Sequence, residues 1–151
     1  LALAPGRALV RCGEEELDLP LAPELRREQQ SAIAVGDVAQ LEERAVVRAV
    51  APRKSWLSRP DPAHPRRERV LAANVDLAVI VASVAAPPFK PGLVERLLMA
   101  LERGRVPALV AVNKADLVDE AKGAVLERSF ASWRALGVPY LLVSAETGSG
   151  L

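Results

Sequence analysis

The tetrapeptide Asn113-Lys114-Ala115-Asp116 and the later run Ser144-Ala145-Glu146-Thr147 hold the side chains of this chain best suited to grip a ligand. Asp116 offers two coplanar acceptor oxygens, which match a paired donor such as the N1–H and exocyclic amine of guanine. Adenine lacks that donor pair. Asn113 would tie its own loop and face the N7/O6 edge. The Lys114 stem would cover a face of the base or sugar, and the Ala145 backbone N–H would donate to O6, with Ser144 supporting it. A buried carboxylate left unpaired by the wrong base costs about 1–3 kcal/mol, which is the source of selectivity. Either motif alone is a weak signal; together, each behind an apolar run, they point to a guanine pocket. The structural alternative gives both residues local duties, with Asp116 starting the helix expected over 119–136 and Ser144 closing a turn.

The elements that must position these residues are read from the apolar runs 106–112 and 138–143, each ending at a motif. Continuous apolar runs of this length fit buried parallel strands, and open α/β sheets bind ligands beyond the carboxyl ends of such strands. A third strand is expected over 77–84. A helix is expected over Pro91–Arg103 with Leu93, Leu97, Leu98 and Leu101 on one stripe. The result is half of a doubly wound domain. No G-x-x-x-x-G-K-[ST] phosphate cradle and no D-x-x-G occurs in the sequence. With the base motifs present and the phosphate loop absent upstream, the expectation is a circularly permuted arrangement whose phosphate loop lies beyond Leu151, making this chain an N-terminal fragment. No catalytic residue is then assigned within it.

Before residue 70 the pattern changes to short alternating segments broken by turn residues: Arg7–Cys12, 16–21, 35–38 leading into 39–41, 45–50 and 69–71. Residues 25–30 fit either a strand or a helical turn. Five short strands in about seventy residues favour an OB-type barrel, which closes its edges and leaves a face and loops for oligonucleotides. The domains expected are therefore 1–70, an RNA-binding barrel, and 71–151, an incomplete α/β domain. Charge supports the assignment. The formal net charge is only +1, yet residues 44–69 hold eight Arg and Lys against Asp61 and Glu68, which leaves the remainder net acidic. Arg53, Lys54, Arg59, Arg66 and Arg67, interrupted by Trp56, fit phosphate contacts with occasional base stacking from a loop spanning 53–69. His64, among prolines, reads as a solvated loop residue, and Asn74 and Asp76 as turn formers at the junction.

The composition, 50% hydrophobic and 26% charged, is that of a soluble globular protein. The single Cys12 excludes internal disulfides and cysteine zinc clusters and suits a reducing cytoplasm. No apolar run approaches the roughly 20 residues of a membrane span, and the start lacks the layout of a signal peptide.

The runs Arg53-Lys54-Ser55-Trp56-Leu57-Ser58-Arg59-Pro60, Leu71-Ala72-Ala73-Asn74-Val75-Asp76, Asn113-Lys114-Ala115-Asp116 and Ser144-Ala145 together resemble the bacterial ribosome small-subunit-dependent GTPase A family. That resemblance implies an OB barrel, a permuted G domain with motif order G4-G5-G1-G2-G3, and a C-terminal zinc-binding helical domain. It implies GTP and GDP as ligands, Mg²⁺ held with the phosphate-loop half, and Zn²⁺ in the C-terminal domain. The implied activity is GTP hydrolysis to GDP and phosphate. The implied partners are the small ribosomal subunit and 16S rRNA, engaged late in subunit maturation by a cytoplasmic monomer. The contrasting possibility is a non-catalytic nucleic-acid-binding module whose α/β half only scaffolds the barrel.

Overall fold

A computed structural model describes residues 3–27, 33–62 and 66–151. Packing divides the chain into two units, Leu1–Asp76 and Leu77–Leu151.

In the first unit β1 (Leu3–Ala4), β2 (Arg7–Cys12) and β3 (Glu15–Pro20) form an antiparallel sheet. A one-turn helix, α1 (Pro23–Arg27), follows; of the ambiguous segment 25–30, residues 25–27 are therefore helical, and 28–30 lie outside the described residues. β4 (Ala39–Glu42) pairs antiparallel with β5 (Val46–Val50), and β6 (Trp56–Pro60) with β7 (Glu68–Ala73). Alternation builds the core: Ala8 and Val10 of β2, Leu19 of β3 and Val47 of β5 point inward with Leu21 and Ile33, while Arg7, Arg11 and Asp18 face water. Isolated parallel bridges, Leu21 to Val47 and Val35 to Ala72, link the hairpins.

Two features differ from the sequence reading. Apart from the Val35 bridge to Ala72, the segment 35–38 turns rather than forming a strand, because Gly36 adopts φ 91° and Asp37 accepts from the Ala34 N–H at 2.7 Å. A Cβ at Gly36 would lie 2.1 Å from the Ala73 carbonyl oxygen, so only glycine permits this approach. The stretch 53–69, read as a loop, contains β6, whose pairing extends the strand expected at 69–71 to Glu68–Ala73 and puts it inside a unit that ends at Asp76. His64 lies outside the described residues. Asn74, in left-handed conformation at φ 54°, ties three segments: its Oδ1 accepts from Lys54 N–H, its Nδ2 donates to Gly36 O, and its own N–H donates to Ser55 O, at 2.9, 2.9 and 2.7 Å. Asp76 is exposed.

The second unit is a parallel sheet ordered β10-β9-β8, with β8 at Ala78–Ser83, β9 at Ala108–Asn113 and β10 at Tyr140–Leu142. Helix α2 (Pro91–Arg103) connects β8 to β9, with Pro91 at its first turn and Gly104 at its end. Helix α3 (Glu120–Ala135) connects β9 to β10. The register aligns Ile80, Val110 and Tyr140 on one face, where Phe130 of α3 stacks on Tyr140 at 4.3 Å and Trp133 packs edge-on at 5.9 Å. The opposite face, through Val79, Val81 and Leu141, is open, and Val81 is 70% exposed. The expected α2 stripe is only partly buried. Leu101 is covered, but Leu93 and Leu97 overhang the β8 edge and line a groove of about 310 Å³, since among the described residues no strand lies beyond β8.

Candidate functional site

The two motifs meet at the carboxyl ends of β9 and β10. Asn113 is the last residue of β9, and its Oδ1 accepts from the N–H of Lys114 at 2.7 Å and of Ala145 at 3.0 Å. One side chain thus fixes its own loop and draws in the second motif. Lys114 takes the left-handed conformation (φ 67°, ψ 45°), which turns the chain out of the strand into a 3₁₀ turn at Ala115–Leu117. The Ala115 N–H donates to Val143 O at 3.0 Å, a second stitch between the loops.

Ser144 is fully buried. Its hydroxyl donates to Asp116 Oδ1 at 2.5 Å and accepts from the Thr147 N–H at 3.2 Å. The turn is closed further by Gly148 N–H to Ser144 O and Ser144 N–H to Ser149 O, both at 2.8 Å. The serine therefore does close a turn, and with the same oxygen it orients the Asp116 carboxylate. Asp116 itself is exposed, and among the described residues its Oδ2 has no hydrogen-bond partner. It does not cap the following helix. Asp119 does so, accepting from Lys122 N–H at 2.8 Å, and the Lys122 ammonium and backbone hydrogen bonds hold its carboxyl below the usual range. Asp116 is left one fixed oxygen and one open one.

Two details depart from the expected roles. The Ala145 N–H, expected to face O6, is engaged by Asn113 Oδ1, so a ligand oxygen would share it. The Lys114 ammonium donates to the Ala86 carbonyl at 2.7 Å, so the stem is tethered to the loop after β8.

The basic run sorts into different environments. The Arg53 guanidinium grips Asp37 through two bonds of 2.7 Å, with the side chains 18% and 3% exposed. The carboxylate hydrogen bond raises the Arg53 pKa. This residue, expected at an RNA surface, is part of the first unit's framework. Lys54, Arg59, Arg66 and Arg67 are exposed, and Trp56 is half-buried at the start of β6. The sequence signal that would have found the Arg53 partner is weak, an acid in a Val-Gly-Asp turn sixteen residues upstream. Among the described residues no group of three His, Cys, Asp or Glu is placed to hold a metal, and no helix is long and apolar enough to cross a membrane.

Comparison with known proteins adds an independent line. The family model described as RsgA GTPase matches residues 50–151. The small ribosomal subunit biogenesis GTPase RsgA of Actinobacillus pleuropneumoniae serotype 5b is 35% identical over 106 residues, covering 70% of this chain and 30% of the relative. Its counterpart from Pseudomonas syringae pv. tomato is 41% identical over the same length and coverage. This chain thus spans about 30% of the length of the curated relatives it matches. Among solved structures, YjeQ from Thermotoga maritima superposes with a TM-score of 0.65 at 25% identity, covering 95% of this chain and 50% of the other. YloQ, described as a circularly permuted GTPase, superposes at 0.57 with 23% identity over 97% of this chain and 50% of its own, a likeness of fold alone. The fold class expected from the sequence, a β unit followed by an incomplete α/β half of permuted type, is the one these structures share.

Proposed function

The chain belongs to the RsgA GTPase family, and from that premise we propose that it supplies the guanine-recognition half of a GTPase that acts in assembly of the small ribosomal subunit, joined to an RNA-binding β unit of OB type. The observation that carries the reading is the double hydrogen bond of Asn113 Oδ1 together with the Ser144–Asp116 contact, which makes one site from two distant motifs. Helix capping does not need Asp116, because Asp119 already caps the helix, so the Asp116 carboxylate is left free for a ligand.

In this site Asp116 accepts from guanine N1–H and the exocyclic amine, using Oδ2 and the second lone pair of Oδ1. Asn113 Nδ2 faces the N7 edge, while the Ala145 N–H is shared between Asn113 and O6. The Lys114 stem lies against the base or sugar. The intact protein would hydrolyse GTP to GDP and phosphate, a reaction driven by positioning and by Mg²⁺ on the phosphates. Among the described residues no group of His, Cys, Asp or Glu is placed to hold Mg²⁺ or Zn²⁺, and we take the phosphate, metal and attacking-water contacts to come from the further length that the relatives have. The partners proposed are the small subunit and 16S rRNA, in the cytoplasm.

Calorimetry of the intact protein with GDP, GTP and ADP, followed by phosphate release with and without small subunits, tests the reading. Selective guanine binding and subunit-stimulated release are expected. Equal affinity for ADP and GDP would remove the base-pocket assignment and leave a nucleic-acid-binding module.

A further inference from the structure

We infer that the β6–β7 hairpin holds an RNA backbone between Arg59 and Arg69, and that Arg53 and Trp56 take no part in that contact. The inference rests on the proposal that the first unit meets RNA, and it locates the face that does so. Acids partner five of the first unit's eleven arginines: Arg7 with Asp18 at 3.0 Å, Arg11 with Glu16 at 2.7 Å, Arg44 with Glu15 at 2.9 Å, Arg48 near Glu24 and Glu42 at 3.9 Å, and Arg53 with Asp37. The acidic side chains of β2–β5 thereby neutralise their own neighbourhood. Among the described residues Arg59 and Arg69 form no ion pair, and the register sets them directly opposite each other across the antiparallel ladder.

Residues opposite each other in such a pair project to the same side with Cβ atoms about 4.5–5.5 Å apart, and like charges there repel. The only acid of β7, Glu68, pairs with Pro60 one step along the ladder and so points to the other face, where it accepts from Ser58 Oγ at 2.9 Å. Arg67, two residues before Arg69 and just outside the strand, is exposed, and its carbonyl accepts from the Asp61 N–H at 2.9 Å. A phosphate between the two guanidiniums turns this repulsion into attraction, which a folding-only role does not account for. Trp56 is an odd number of residues from Arg59 on the same strand, so its ring lies on the opposite face. The arginine face therefore offers cations without a stacking platform, and recognition there is electrostatic and indifferent to base sequence.

The test uses the intact protein and protein-stripped 16S rRNA, with affinity measured across a salt series. Arg59→Gln and Arg69→Gln should each weaken binding and lower the salt slope by about 0.7–0.9, while Trp56→Leu and Arg11→Gln leave the slope unchanged. Because removal of one charge relieves the repulsion, each hairpin variant should also melt at an equal or higher temperature, a result that loss of fold cannot mimic. Unaltered slopes in both hairpin variants, with the parent protein binding rRNA normally, would overturn this inference and leave the RNA-binding proposal standing. Failure of the parent protein to bind stripped rRNA would sink that proposal with it, and binding to whole subunits alone would make the partner a ribosomal protein.

Discussion

Replacing Ser144 with alanine isolates the contact that gives Asp116 its orientation. The hydroxyl is fully buried, donates to the carboxylate at 2.5 Å and accepts the Thr147 N–H at 3.2 Å. A hydrogen bond to a charged group contributes about 1.5–3 kcal/mol net. Asp116 is exposed, so water takes over part of the lost bond, and the lower end, about 1.5 kcal/mol, is the better value. Guanine nucleotide affinity of the intact protein should therefore fall about tenfold, since each 1.4 kcal/mol is a factor of ten. The loss should be selective. Inosine diphosphate lacks the exocyclic amine that a well-aimed Asp116 receives, so the ratio of GDP to IDP affinity should shrink in Ser144→Ala. Calorimetric titration of both nucleotides into parent, Ser144→Ala, Asp116→Ala and the double variant closes the cycle, with a coupling of about 1 kcal/mol expected between the two positions. An unchanged GDP-to-IDP ratio in a folded Ser144→Ala protein, or a coupling near zero, would refute the claim that the serine aims the carboxylate.

Asp116→Asn should weaken GTP and favour XTP, because the amide offers a donor to the 2-oxo group of xanthine; competition binding with the two nucleotides checks this. Arg53→Ala leaves the almost buried Asp37 without its cation and should destabilise the first unit by about 3 kcal/mol, seen as a lower denaturation midpoint, while the salt slope of rRNA binding stays at the parent value. The α3 cap should be acid-sensitive. Hydrogen bonds from the Lys122 ammonium and backbone hold the folded-state pKa of Asp119 below the ordinary carboxylate value, so its stabilising effect is present above that ordinary value and is lost as pH falls through the lower, folded one. Asp119→Asn, which keeps an acceptor but no charge, should flatten this acid limb of the melting temperature, and an unchanged limb would assign it to other carboxylates.

What was legible in the sequence was mostly local. The strand bearing Asn113 is an apolar run ended by residues that turn easily, and helix α2 begins at a proline and ends before a glycine, so both could be placed from a few neighbours. The base motifs belong to the same class, since each occupies a few consecutive residues behind a strand. What was not legible depended on a partner far along the chain. Strand β6 reads Trp-Leu-Ser-Arg-Pro, with no clean alternation and a proline at its end, and it pairs because β7 lies beside it. Arg53 looked like its cationic neighbours until Asp37 was brought against it.

The α2 stripe shows the same limit from another side. Its periodicity placed Leu93 and Leu97 on the buried face, yet the side chain buried with Leu101 is Val94, which the stripe did not include, and Leu93 and Leu97 stay exposed because burial depends on how far the sheet extends beneath the helix, a property no helix encodes alone. Asp116 and Asp119 pose the sharpest case, two aspartates one turn apart near one helix start. Composition and spacing allow either to cap. The choice is made by geometry: Asp119 meets Lys122 N–H, whereas the left-handed Lys114 swings Asp116 toward Ser144. The residue freed from capping is the one left with an open acceptor, and that division of labour between two chemically identical side chains is what would let the loop serve as the proposed base pocket as well as a helix entry.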